Sequence, residues 1–214
     1  MRVREDPPSA ELATLVGDLA QNLRAALDYL SQQFVRANGQ IPTGATEFPI
    51  FLDPVRYASD APRKTRGMSP EAIALIKRSQ HFASAASDRH FLWVLHEMNN
   101  ADKHRQLNVV GSAVHSQALT VMGNMQVRVR PAIPVALGVP MPILPLRDGM
   151  ELVRLAIVNR VAGGAILAEG SFEFGISFEN PAIVRGQAVV SLMRSLTDGV
   201  GGIVDSGEVR ALLP

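Results

Sequence analysis

Leu95 to Asn108, LHEMNNADKHRQLN, packs two His, three Asn, Glu, Asp, Lys and Arg into one short stretch of a 214-residue chain that is 47% hydrophobic and only 19% charged. Wound as an α-helix at about 100° per residue, the stretch puts His96, Asn100, Lys103 and His104 on one side. Imidazole exchanges a proton near neutrality, an amide donates and accepts, and an ammonium is a point charge. That combination suits the binding of an anion or the movement of a proton. His96 and His104 are the candidate acid–base groups, and Asn100 and Lys103 the candidate ligand-binding groups. The bland alternative is a solvated helix face.

The other side of the same helix carries the apolar seam Phe91, Val94, Leu95, Met98 and Ala101. Asp102 and Arg105 fall on that seam. A charge there must be paired or it costs several kcal/mol, about 3 to 5 when one buried partner is removed. The two are therefore expected to be buried as a structural ion pair, with each other, with the first helix or with backbone groups.

Familiar catalytic patterns are missing. A zinc-binding HExxH would need His at position 100, where Asn100 stands, and His96 and His104 lie about 12 Å apart along a helix, too far to chelate one ion unaided. With no Cys there is no thiol chemistry and no Cys-ligated zinc. Nor is there a phosphate loop, nucleophile elbow or dinucleotide fingerprint. No metal and no cofactor are expected. A formal charge of +1 gives no global field for nucleic acid or a membrane surface. No apolar run reaches about 18 residues, and MRVREDPP has no apolar core of a signal peptide, so a soluble, cytoplasmic protein without membrane partners is expected.

The elements that must hold these side chains read as follows. Ser9 is the N-cap of a long amphipathic helix in which Leu12, Val16, Leu19, Leu23, Leu27, Leu30 and Phe34 recur every three or four residues, ending at Asn38-Gly39. On its flanks lie Arg24 and Asp28 on one side and Asp18, Asn22 and Tyr29 on the other. An antiparallel partner helix brings one flank to the His96 face, which makes Arg24 and Asp28 candidate ligand-binding residues. Residues 40–67 show no sustained period and read as a long ordered loop pinned to the core by Phe48, Ile50 and Phe51. Ser69-Pro70-Glu71 opens a second helix, to about Gln80, and Ser87-Asp88 announces a third, from about Arg89 to Gln106.

At Asn108 the period changes to two. ALTVM, Gly123-Asn124 and MQVRVR read as a hairpin. ELVRLAIV is a further strand, and Phe172, Phe174, Ile176 and Phe178 alternate with polar residues in the last one. Arg128 and Arg130 are expected to pair across strands with Glu169 and Glu173. Val189, Leu192, Met193, Leu196, Val200 and Ile203 form a C-terminal helix over the sheet, weakened by Gly199, Gly201 and Gly202. The expectation is one α+β domain over residues 1–214: a helical half, 1–107, with three helices; an antiparallel sheet of four or five strands, 108–180; and a C-terminal helix, 181–214.

The segments GDLAQNLRAALDYL, TEFPIF, GMSPEAIALI and LWVLHEMNNADKHRQLNVV together resemble an uncharacterised, mainly actinobacterial family with NLRxALD and NNxDKHR motifs. The resemblance covers about residues 3 to 112. Relatives carry His where Tyr29 stands and often extend further upstream, which leaves open whether Met1 begins the complete domain. The helical half is also similar to the HEPN superfamily of nucleotide-binding helical domains. Many of those are metal-independent ribonucleases in which an Arg precedes a His by a few residues, a spacing that Arg89 and His96 share.

Two readings follow. In one, Arg24, Asp28, His96, Asn100, Lys103 and His104 form a helical site for an anion, a nucleotide or RNA, with or without catalysis. In the other, the protein is a non-enzymatic interaction or structural protein, a homodimer among the options, and its polar cluster is an ion-pair network. A concave His96 face with perturbed titration separates the first from the second.

Overall fold

The computed structural model describes residues 10–83, 90–104, 108–124, 126–131, 151, 153–159 and 162–213. It is α+β, with helices first, strands next and helices last. In chain order the elements are α1 (Ala10–Ala37), α2 (Pro54–Lys64), α3 (Pro70–Arg78), α4 (Phe91–Lys103), β1 (Asn108–Gly123), β2 (Gln126–Pro131), β3 (Val153–Asn159), β4 (Ile166–Asn180), α5 (Val189–Val204) and α6 (Gly207–Leu212). None of the described helices is long and apolar enough to cross a membrane. The chain divides into two compact units. A helical unit takes Ala10–Asn108, Asn180–Val184 and Val190–Pro214, and a strand unit is built on Val109–Glu179 and Arg185–Val189.

The core of the helical unit follows the apolar spacing. Val16, Ala20, Leu27, Leu30 and Phe34 of α1 are buried, as are Leu92, Val94, Leu95, Met98 and Ala101 of α4, with Leu75 and Ile76 of α3 and Leu196 and Val200 of α5. α1 stops where expected: Gly39 takes φ +70, and the Asn38, Gly39 and Gln40 amides bond back to Phe34, Arg36 and Val35 carbonyls. Ser9, its expected cap, and Ser87-Asp88 lie outside the described residues. Ser69 caps α3 by accepting from the Ala72 amide. α1 and α4 pack against each other. They touch closely at Gly17, where a Cβ would stand 2.1 Å from Asp102 Oδ1.

Several expectations give way. Residues 40–67 are not all loop, because Asp53 accepts from the Val55 amide and starts α2 with Pro54 in its first turn. Pro62 lies inside that helix and only Tyr57 and Ala61 are buried, so its apolar side is small and interrupted by a residue that argues against a helix. Among the described residues the ALTVM–MQVRVR hairpin is not formed. β1 pairs with β4 and β2 with β3, giving two two-stranded sheets among the described residues in place of a single four- or five-stranded one. β2 and β3 are antiparallel, with Arg128 opposite Ala156 and Arg130 opposite Arg154. The partner strand of Arg128 and Arg130 is therefore not the one bearing Glu169 and Glu173. Arg154 is held by Glu151 at 2.6 and 2.7 Å. Asn124, expected in the turn, instead accepts from the Ala165 amide at the start of β4.

α5, expected over the sheet, belongs to the helical unit from Val190 onward. Its glycines do not end it; the helix runs to Val204. At Gly199 the ring of Phe91 sits where a Cβ would be, 2.6 Å from the nearest ring carbon. α6 had no sequence signal beyond Ser206, which accepts from the Val209 amide. It packs on α3, where Arg78 and Glu208 pair at 2.7 Å.

Candidate functional site

Within the helical unit a cleft of about 480 Å³ opens between α1, the segment before α2, α2 itself and α4. It is within the usual range of small-molecule sites, roughly 300 to 1,000 Å³. Three segments of the sequence meet there. NLRAALD contributes Arg24 and Asp28, TEFPIF contributes Glu47, Ile50 and Phe51, and NNADKHR contributes Asn99, Asn100 and Lys103. Leu52, Asp53, Arg56 and Lys64 of the segment leading into and through α2, and Trp93 and His96 of α4, complete the wall.

Arg24 and Asp28, one helical turn apart on α1, form a strut to the loop. Arg24 Nη2 donates to Asp28 Oδ1 at 2.8 Å and to the Phe48 carbonyl at 2.7 Å, while the Phe48 amide donates to the same Oδ1 at 2.8 Å. Burial lowers the Arg24 pKa against the pull of Asp28 and Glu47, and burial raises the Asp28 carboxyl against the pull of Arg24. In both shifts burial is the first cause and pairing opposes it, so the strut sets the desolvation of two charges against a fixed geometry. A second clamp comes from Gln80: its buried amide donates to the Pro49 carbonyl at 2.9 Å and the Ile76 carbonyl at 3.0 Å, and accepts from the Phe51 amide at 3.3 Å. Lys64 of α2 pairs with Glu47, which holds that carboxyl below its ordinary range.

On α4, Trp93, His96, Asn100 and Lys103 recur every three or four residues, so one face of the helix lines the cleft. The Trp93 and His96 rings stack with centroids 5.2 Å apart. Asn100 Nδ2 lies 3.0 Å from His96 Nε2. Burial first, then the charges of Arg24, Lys64 and Lys103, push the His96 imidazole down to about 4. At neutral pH the ring is uncharged, and its Nε2 lone pair accepts from the Asn100 amide.

The cations are unevenly committed. Arg24 and Lys64 are paired, whereas the exposed Arg56 and Lys103 form no ion pair among the described residues. Asp53 is occupied in capping α2. What remains uncommitted at the mouth is positive.

Of the residues marked from the sequence, the structure brings together Arg24, Asp28, His96, Asn100 and Lys103. His104 does not join them: it is the exposed C-cap of α4, its amide bonded to the Asn100 and Ala101 carbonyls. Asp102 is half-buried against Gly17 rather than fully buried, and Arg105, its expected partner, lies outside the described residues, as does Arg89. Glu47, Asp53, Arg56 and Lys64 join the site without being expected there, because residues 40–67 show no sustained period in the sequence. Asp53-Pro54 was the available signal for α2. Asn99, 4% exposed, joins it unexpected as well. No group of three His, Asp or Glu side chains among the described residues could hold a metal ion. Comparison with known proteins gives no matching family model, curated protein or solved structure.

Proposed function

We propose that this protein, a cytoplasmic one, uses the cleft between α1, α2 and α4 to bind an anionic ligand, a nucleotide or an RNA phosphate. One observation carries the reading: Arg24, Arg56, Lys64 and Lys103 converge on one concavity, where burial first and then three of these charges keep His96 uncharged. Lys103 and Arg56 supply the uncommitted charge, Asn100 and Asn99 offer amides, and Trp93 offers a ring face for a base. That the segments resembling the actinobacterial family meet in this cleft supports a shared site. The nucleotide-binding side of the HEPN similarity points the same way. If the ligand is RNA and is cleaved, His96 is the acid–base group within reach.

The test is calorimetric titration with UMP, AMP and short RNA. Binding is expected, and Lys103→Ala and Arg56→Ala should each weaken it about tenfold, or about 1.4 kcal/mol, with the melting temperature almost unchanged. Absence of binding by all three probes, or variants that bind like the parent, overturns the proposal.

A non-enzymatic interaction protein is the second reading, and a different observation favours it. Leu15, Leu19 and Tyr29 are exposed and lie within about 80° of one another around α1. Light scattering that finds a dimer dispersed by Leu15→Lys would move the weight there.

A further inference from the structure

His96 is placed where a proton and an anion must feel each other. Its ring is stacked on Trp93, half-buried in the cleft wall, and its Nε2 faces the amide of Asn100 at 3.0 Å. The ionisable groups around it come from every side of the cleft: Arg24 and Asp28 from α1, Glu47 and Asp53 from the loop, Arg56 and Lys64 from α2, and Lys103 from α4. Asp28 is bound to Arg24 and the Phe48 amide, Glu47 to Lys64, and Asp53 to the start of α2. None of these carboxylates bonds to the imidazole, on which burial acts first and three cations after it.

Resting on the reading of this cleft as an anion site, we propose that His96 takes up a proton when the anion enters, so that acidity and occupancy reinforce each other. In the empty cleft a proton on His96 adds one more positive charge beside Arg24, Lys64 and Lys103. An anion cancels that repulsion and gives the new N–H a counter-charge. The Asn100 amide suits both states. Its NH2 donates to the neutral ring, and half a turn of the amide presents the oxygen to the protonated one. The coupling is reciprocal: whatever the anion adds to proton affinity, the proton adds to anion affinity.

The sign follows from where the proton goes. The empty site titrates at about 4. The occupied site titrates closer to the ordinary histidine value, so affinity rises as pH falls through the occupied-state value and levels off below the empty-state value. One coupled proton changes affinity by at most about tenfold per pH unit.

The experiment uses two probes whose charge is constant from neutrality down to about pH 4.5: sulfate, for a terminal phosphate, and the dinucleoside monophosphate UpU, for an internal one. The His96 ring signal is followed by NMR as pH is lowered, without probe and at saturation, and affinity is measured at each pH. The expected result is a His96 midpoint that moves up on saturation and an affinity that tightens about tenfold between neutrality and about pH 5. His96→Gln, which keeps an acceptor for Asn100 but has no proton to gain, should make the affinity flat with pH. Binding that is already flat in the parent, or a pH dependence that survives in His96→Gln, overturns the proton coupling and leaves the anion site standing. No binding of either probe at any pH overturns both.

Discussion

The helical unit and the β2–β3 ribbon of the strand unit use apolar residues in opposite ways. In the helical unit Leu95 and Met98 are fully buried behind the very helix face that presents His96 and Lys103. In the ribbon, Arg154, Leu155, Ala156, Ile157, Val158 and Asn159 are all exposed, on both faces of the strand. A side chain can be held to a defined position only where its backbone is backed by a packed interior. The difference explains why perturbed titration is found in the helical unit: its ionisable groups are partly desolvated, whereas Arg154 meets Glu151 in water, where pairing with that carboxylate merely raises an already high pKa.

The sharpest way to break this contrast is to remove methyl groups from both regions. Leu95→Ala should lower unfolding free energy by about 3 to 5 kcal/mol. Ile157→Ala, at 45% exposure, should change it by less than about 0.5 kcal/mol. Urea titration followed by Trp93 fluorescence reads the first and circular dichroism the second; similar losses would show the ribbon to be packed after all.

Acid separates the two regions next. Unfolded His96 takes a proton near 6.5 but folded His96 only near 4, so the folded state loses about 3 kcal/mol as pH falls through that window and nothing more below it. His90, lowered by burial and by His81, pushes the same way. Asp28, raised by burial, opposes both, since its folded carboxyl accepts a proton more readily than the unfolded one. The difference between parent and His96→Gln isolates the first of these. If the two lose stability in parallel between about pH 6.5 and 4, His96 is not the uncharged group described here.

The smallest effects distinguish the two Arg–carboxylate pairs. Asp28→Ala strands a guanidinium that is 12% exposed and removes the acceptor of the Phe48 amide, at a cost of about 2 kcal/mol. Arg154→Ala should leave the denaturation midpoint unmoved. A measurable loss in the ribbon variant would erase the distinction.

How far the sequence could be read depended on where period and phase were informative. α1 was legible because Val16, Leu27, Leu30 and Phe34 repeat at helical spacing over 28 residues. The convergence of Arg24 and Asp28 with His96, Asn100 and Lys103 was legible in part: helical phase groups Arg24 with Asp28 on one flank of α1 and His96 with Asn100 and Lys103 on one face of α4, but which flank of α1 meets that face is decided by packing. His104 was placed with them by the same phase and fell away because the helix ends one residue earlier. α2 was illegible for a different reason: its apolar side is short, made largely of small side chains with only Tyr57 and Ala61 buried, and it contains Pro62, a residue that argues against a helix interior. With it went Arg56 and Lys64, half of the cleft's cations. Strand partners were misjudged because Gly123-Asn124 satisfies turn chemistry locally, whereas pairing of β1 with β4 is decided by contacts far apart in the chain.

Gln80 shows what this arrangement means for anyone wishing to move the site. Its one amide joins the end of α3 to both Pro49 and Phe51, and Asp28 holds Phe48 from α1. The bends of TEFPIF are thus dictated by helices that lie before and after it. The loop is not a transferable cassette: grafted into another helical scaffold it would arrive without its mould, and a chimaera that keeps the site has to carry α1 and α3 along with it.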